Sequence, residues 1–205
     1  MVDSEKKPSR IQMRNRARIL EAALDVFSAH GYRGSTLDAI ADASGLSKPN
    51  ILYYFGGKEE IHVTLLSQLM ETWLDPLVEM DKNGDPIEEI LRYVIRKLEM
   101  SRDLPRESRL FANEILQGAP RMTPHLEADL KPLVDEKCAV IRTWMDQGKL
   151  APVDPQHLFY SIWSTTQHYA DFEAQVQVLS DADPLEGARL FLDTLYRRLL
   201  TPMPE

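Results

Sequence analysis

A chain of 205 residues, 43% apolar and 27% charged, can bury a core as one compact domain or two small ones. Its net charge of −8 discourages nonspecific coating of nucleic acid, and its single cysteine, Cys138, excludes an intramolecular disulfide and a multi-cysteine metal site. No stretch approaches the ~18 consecutive apolar residues that a membrane span needs, and the basic start lacks an apolar leader, so the expected location is the cytoplasm.

The first nine residues are polar and are expected to be disordered. A first helix is predicted from about Arg10 to His30, with Ile19, Leu20, Ala23, Leu24 and Phe27 on one stripe and Gly31 as its stop. This end of the chain is basic. Lys6, Lys7, Arg10, Arg14, Arg16 and Arg18 stand against only Asp3 and Glu5, and residues 1–60 hold nine cations to eight acids. The whole net negative charge therefore lies in the body, a polarity that suits a DNA contact confined to one end.

Residues 36–60, TLDAIADASGLSKPNILYYFGGKEE, carry the most specific pattern. Leu37, Ile40 and Ala41 give a short helix its buried face, and Gly45 stands where the chain must reverse, a place that favours a residue tolerant of positive φ. Ser47 is a good N-cap, with Pro49 in the first turn of the second helix. Ile51, Leu52 and Phe55 are expected to face the core, leaving Lys48, Asn50, Tyr53 and Tyr54 on other faces. This is a helix-turn-helix whose second helix could enter a major groove. Lys48 can reach guanine O6 and N7, Pro49 a thymine methyl, and Asn50 a base or phosphate, with Ser47 opening the same edge.

A fourth helix is predicted from Lys58 to about Met80. Asp85-Pro86, Thr123-Pro124, Asp154-Pro155 and Asp183-Pro184 each pair an N-cap residue with a first-turn proline, and Leu104-Pro105 marks another start. Helices are thus expected near 86–103, 105–117, 124–147, 155–179 and 184–200. The fold class is all-α, with about nine helices. Pro76 and Pro132 fall inside helices and should bend them, at ~3 kcal/mol each. The Pro76 bend could follow a curved core or help to create a pocket.

The basic first helix, the Gly45 turn, the Tyr53-Tyr54-Phe55 run and Gly56-Gly57-Lys58-Glu59-Glu60 together resemble the N-terminal signature of the TetR family of bacterial regulators, over roughly residues 14–74. The resemblance implies a helix-turn-helix DNA-binding domain at 14–74 (motif 37–56) and a ligand-binding and dimerisation domain at 75–205. It also implies phosphate contacts from Thr36, Tyr53, Tyr54 and Lys58. Of the two tyrosines, Tyr54 is expected to be the more exposed. Gly56-Gly57 departs from the commoner Pro-Ser opening before the lysine, which should loosen the helix start without removing its donors. One motif covers one half-site, so a homodimer on a near-palindromic double-stranded operator is expected. Its surface would come from the last two helices, with Leu158, Phe159, Ile162, Trp163, Leu190, Phe191, Leu195, Tyr196 and Leu199 as candidates.

Residues 98–120, 134–158 and 162–176 are similar to a branch of that family that represses pyrimidine utilisation and is released from DNA by uracil or thymine. A pyrimidine-like small-molecule effector is therefore expected. A flat, neutral ring with alternating donors and acceptors needs aromatic faces and a few placed polar groups. Trp73 and Trp163 could supply the faces. Gln167, one helical turn from Trp163, could match an imide edge. Ser101, Thr166, His168 and Tyr169 are secondary candidates. No catalytic residue, metal or cofactor is implied. The alternatives are a regulator that needs no effector, or a metal-dependent helical enzyme using His157 and His168 with Asp154, Asp171 and Glu173. Three helical turns separate the two imidazoles by ~16 Å, too far to share an ion.

Overall fold

The computed structural model describes residues 9–203. The stretch expected to be disordered lies outside these residues except for Ser9, which instead caps the first helix: its hydroxyl accepts from the Gln12 N–H, and the Gln12 side chain returns the bond to the Ser9 N–H. Helix α1 runs Arg10–Gly34, longer than expected. Gly31 interrupts it at φ 64°, ψ 174°, so the predicted stop is a break followed by one more turn.

The short helices α2 (Leu37–Ser44) and α3 (Lys48–Tyr54) cross at Gly45, which takes φ 62°, ψ 28° and donates its N–H to the Ala41 and Asp42 carbonyls. Helix α4 (Lys58–Val78) follows, then α5 (Pro86–Asp103), α6 (Pro105–Leu116), α7 (Thr123–His125), a π-helical turn (Leu126–Leu130) and α8 (Lys131–Asp146). Helices α9 (Pro155–Asp171), α10 (Glu173–Leu179) and α11 (Pro184–Leu200) complete the chain. Residues 123–146 form one unbroken rod, so the described residues make ten helices rather than nine. The extra one comes from a break at Phe172 (φ −115°, ψ 29°) inside the helix predicted over 155–179.

Three of the four predicted Asp/Thr-Pro starts behave as expected, with the carboxylates of Asp85, Asp154 and Asp183 accepting from backbone N–H groups of the helices they open. Thr123 does not: it lies inside the helix and its hydroxyl donates back to the Ala119 carbonyl. Pro132 lacks the N–H for an ordinary helical bond and would crowd the preceding turn. The rod accommodates it by widening to a π turn, with Lys131 N–H reaching the Leu126 carbonyl. Pro76 sits in the last turn of α4, which ends two residues later without a distorted residue.

Two apolar clusters organise the molecule. One gathers Phe27, Ile40, Ile51, Phe55, Ile61 and Leu66 from α1–α4, and it extends to Leu110 of α6 and Met122 beside α7. The other packs α5, α8, α9 and α11 around Val94, Ile141, Phe159 and Tyr196. Each fully buried side chain of this size contributes roughly 1.5–3 kcal/mol. The Tyr196 hydroxyl ties α11 to α9 through Thr165 Oγ1 at 2.9 Å and Ser161 Oγ at 3.2 Å. No helix among the described residues is long and apolar enough to cross a membrane.

Helix α4 joins the two clusters and is held at both ends. At its start, the Lys58 ammonium donates to the Tyr32 and Ser35 carbonyls, each at 2.7 Å. At its end, Lys137 of α8 donates to the Val78 and Met80 carbonyls, placing a cation at the negative end of the helix.

Candidate DNA-reading surface and effector cavity

In the helix-turn-helix, Thr36 accepts from the Ala39 N–H and Ser47 from the Asn50 N–H, fixing the starts of α2 and α3. Ser47, Lys48, Pro49 and Asn50 are all exposed, on one edge. The Lys48 ammonium lies 3.0 Å from Asp38 Oδ2 across the motif, so a DNA contact through Lys48 competes with this exposed pair. Ile51 and Phe55 are buried as expected, but Leu52 is exposed. A seven-residue helix can turn only one narrow stripe inward, and Leu52 lies off it.

The two tyrosines reverse the expected order. Tyr53 is 70% exposed, whereas Tyr54 packs on the N-terminal core and accepts from Asn15 Nδ2 at 3.0 Å. Arg16 donates to the Tyr54 carbonyl and lies over the Phe55 ring. Lys58 is also not free: its ammonium is taken by two carbonyls and sits 4.2 Å above the Tyr32 ring, so it closes the motif against α1. After Gly56-Gly57, the helix start is stiffened by the Glu60 carboxylate, which accepts from the Gly56 N–H at 2.6 Å.

Behind Lys58, His62 is buried between Phe27 and Tyr32, with ring centroids 4.8 and 4.9 Å away, and its Nδ1 has no partner among the described residues. Burial, then the nearby Arg121 and Lys58 charges, lower its pKa to about 4.

Trp73 of α4 and Trp163 and Gln167 of α9 line a single cavity of 310 Å³, walled by α4, α5, α6, the π-helical turn and α9. That volume suits a small flat molecule. Trp73 meets Phe111 edge-on at 4.9 Å, and Trp163 Nε1 donates to Tyr93 Oη at 2.7 Å. Gln167 makes no hydrogen bond among the described residues. The four secondary candidates stand elsewhere. Ser101 and Thr166 are buried but return their hydroxyls to carbonyls of their own helices. Tyr169 packs into the body core, and His168 is exposed, stacked on Phe172. Pro76 lines a different groove, with Glu79, Met80 and Arg92, so it does not shape this cavity.

Sequence reasoning missed Lys97 and Tyr93. Lys97 is 4% exposed, lines the cavity, and holds its ammonium 4.4 Å from the Trp73 ring centroid. The ammonium has neither hydrogen bond nor ion pair among the described residues. Burial lowers its pKa to about 8, against a smaller opposing effect of Asp171. The signal was present: Tyr93, Lys97 and Ser101 recur every four residues on the apolar stripe of α5, where a lysine is out of place.

A second path connects the cavity to the motif. Phe111 and Ile115 of α6 line the cavity, and between them Glu114 is buried and accepts from the Arg121 N–H at 2.8 Å. The Arg121 guanidinium lies 3.5 Å from the Tyr32 ring centroid, with Nε 3.3 Å from Glu59 Oε1, an ion pair without hydrogen-bond geometry.

Of the expected dimer residues, Leu158, Phe159, Ile162 and Tyr196 belong to the core of this chain. Leu190, Phe191, Leu195 and Leu199 are exposed on α11, and Tyr160 is exposed on α9. His157 and His168 are both exposed, and no cluster of three potential metal ligands occurs among the described residues.

The family profile described as "Bacterial regulatory proteins, tetR family" matches residues 19–63, and that described as "YcdC-like protein, C-terminal region" matches residues 66–200. The HTH-type transcriptional regulator RutR of Escherichia coli is 48% identical over 176 residues, covering 86% of this chain and 83% of RutR. The ketosteroid transcriptional regulator KstR2 of Mycobacterium tuberculosis superposes with a TM-score of 0.72 at 17% identity, over 98% of this chain and 99% of that one. AibR in complex with isovaleryl coenzyme A and operator DNA gives 0.72 at 18%, over 92% and 100%.

Proposed function

The chain belongs to the TetR family of helix-turn-helix transcriptional regulators, which are not enzymes, and on that premise we propose a cytoplasmic repressor that binds a near-palindromic operator as a dimer and is released by a pyrimidine of the uracil type. The motif within 14–74 reads DNA, and the remainder, 75–205, dimerises and binds the effector together with Trp73 at the end of the first unit. Lys48, Pro49 and Asn50 meet base edges, while Thr36, Ser47 and Tyr53 meet phosphates. Tyr54 and Lys58 hold the motif's shape.

The observation that carries the effector reading is the convergence of Trp73 with Trp163 and Gln167, a pair some ninety residues further along the chain, on one 310 Å³ cavity. Two indoles give a ring its faces, and a free carboxamide can both donate to and accept from an imide edge. The pyrimidine comes from the similarity of the body to the pyrimidine-utilisation branch, and RutR matches across most of this chain.

The dimer is proposed through α9 and α11, whose outward face presents Tyr160, Leu190, Phe191, Leu195 and Leu199. Trp73 lies fifteen residues from Lys58, about 22 Å along α4, so a tilt of α4 imposed at the cavity moves the clasp on α1. Arg121 gives α6 a second hold on the same end. A coupling of ~1–3 kcal/mol corresponds to ~5–150-fold release.

Thermal melting with uracil tests the effector site. The expected result is a concentration-dependent rise in Tm for the unaltered chain that is lost in Gln167→Leu. No rise at saturating ligand overturns the pyrimidine reading.

A further inference from the structure

The hydrogen-bonding groups of the cavity are unbalanced. Two nine-tenths-buried side chains of the cavity lining hold donors with no acceptor among the described residues: the three N–H of the Lys97 ammonium, and the Tyr93 hydroxyl proton, whose oxygen already accepts from Trp163. Gln167 adds two further N–H donors and one free side-chain acceptor, its carboxamide oxygen. Neutral uracil offers two carbonyl acceptors and two N–H donors, and so leaves the surplus in place. Loss of one N–H proton removes a donor and adds an acceptor and a negative charge, which moves the ligand toward what the cavity lacks. A buried ammonium without a counterion also favours a ligand that brings one.

We propose that the cavity takes its ligand as an oxyanion, with Lys97 as the counter-charge and Tyr93 and Gln167 completing its hydrogen bonds. This rests on the effector reading above and narrows its chemical class: a planar heterocycle or small planar acid carrying negative charge on oxygen. The charged neighbours do not already fill that role. Asp171 of α9, the carboxylate that acts on Lys97, is bonded to Ser108 Oγ at 2.6 Å and is shared with Arg109 and His168, while Arg109 also pairs with Glu173. Helix α4 offers the cavity only apolar side chains and the Trp73 indole.

The proton balance follows. Below about pH 8 Lys97 is charged in the free protein, so a neutral imide that binds as its anion must give its proton to the buffer. Above that, Lys97 is neutral and takes the ligand's proton itself, and net release fades.

Calorimetry on the full chain, in buffers of different ionisation heat, tests this with three probes. Uracil is neutral but ionisable, barbiturate is an anion at neutral pH, and 1,3-dimethyluracil cannot ionise. The expected result is at least about tenfold tighter binding of barbiturate than uracil, proton release with uracil that fades above pH 8, and no binding of dimethyluracil. Lys97→Met should erase the barbiturate preference, and Tyr93→Phe should weaken both ligands. A melting curve establishes that each variant is folded, and the proton count needs no variant. Uracil binding without proton release, with barbiturate no tighter, overturns the oxyanion while the pyrimidine reading stands. If only a planar carboxylate such as benzoate binds, and loses its affinity in Lys97→Met, the oxyanion stands and the pyrimidine falls. If no probe binds, both fall.

Discussion

The helix-turn-helix and the cavity place their polar groups in opposite ways. Within 36–60 nearly every polar group has a partner nearby: Thr36 and Ser47 cap the helices they open, Glu60 bonds the Gly56 N–H, and Lys48 pairs with Asp38. The cavity is assembled from four helices and the π-helical turn, and it leaves an ammonium, a phenol proton and a carboxamide without partners among the described residues. A reading head has to keep its shape whether or not DNA is present, so it satisfies itself. A sensor is left incomplete in its free form, and the missing partner is the signal.

The largest test of that contrast is to make the cavity apolar. A lysine whose pKa falls from 10.5 to about 8 on folding disfavours the folded state by roughly 3 kcal/mol wherever it is charged in both states. The sign follows from the depressed folded value: the penalty is full below pH 8 and is relieved as pH rises toward 10.5. Lys97→Met should therefore raise neutral-pH stability by up to about 3 kcal/mol in urea unfolding. A loss of stability would show that the ammonium has a partner and that the cavity is not left incomplete.

His62 breaks the contrast from the other side, because it is an unsatisfied group beneath the reading head. Its folded pKa, about 4, is below the ordinary 6.5, so the stability it permits is present above 6.5 and lost as pH falls toward 4, by up to about 3 kcal/mol. The N-terminal unit should melt first on acidification, and His62→Phe should flatten that acid limb. An unchanged limb assigns the acid sensitivity to other groups.

Two smaller changes address the motif's self-sufficiency. Gly45→Ala forces a side chain into φ 62° and should lower stability by about 1 kcal/mol, with Arg18 displaced from the space its Cβ needs. Asp38→Ala frees Lys48 from a surface pair of ~0.2–1 kcal/mol and removes a charge that DNA repels. Operator affinity should rise about two- to fivefold, and a fall would mean that Asp38 positions Lys48 for the bases.

The same contrast explains what was legible in the sequence. Caps, turns and proline starts act over three or four residues, so Ser47, Gly45 and Asp154 were readable. Trp163 and Gln167 were readable as neighbours because helical spacing places them on one face. The order of Tyr53 and Tyr54 was not, because it depends on Asn15, 39 residues away. Leu52 misled because a short helix has too little length to show its stripe. The break at Phe172 carries no glycine or proline to announce it. Lys97 is hard to read because a lysine ordinarily faces solvent, and only its place on the apolar stripe of α5, between Tyr93 and Ser101, marks it as buried.

The central claim, that occupancy of the cavity controls the reading head, is tested most directly by fluorescence anisotropy on a labelled operator fragment, titrated with protein in the presence and absence of saturating uracil. Uracil should weaken operator binding by ~5–150-fold in the unaltered chain and leave Gln167→Leu unaffected. Equal operator affinity with and without a ligand that calorimetry shows to be bound would contradict it.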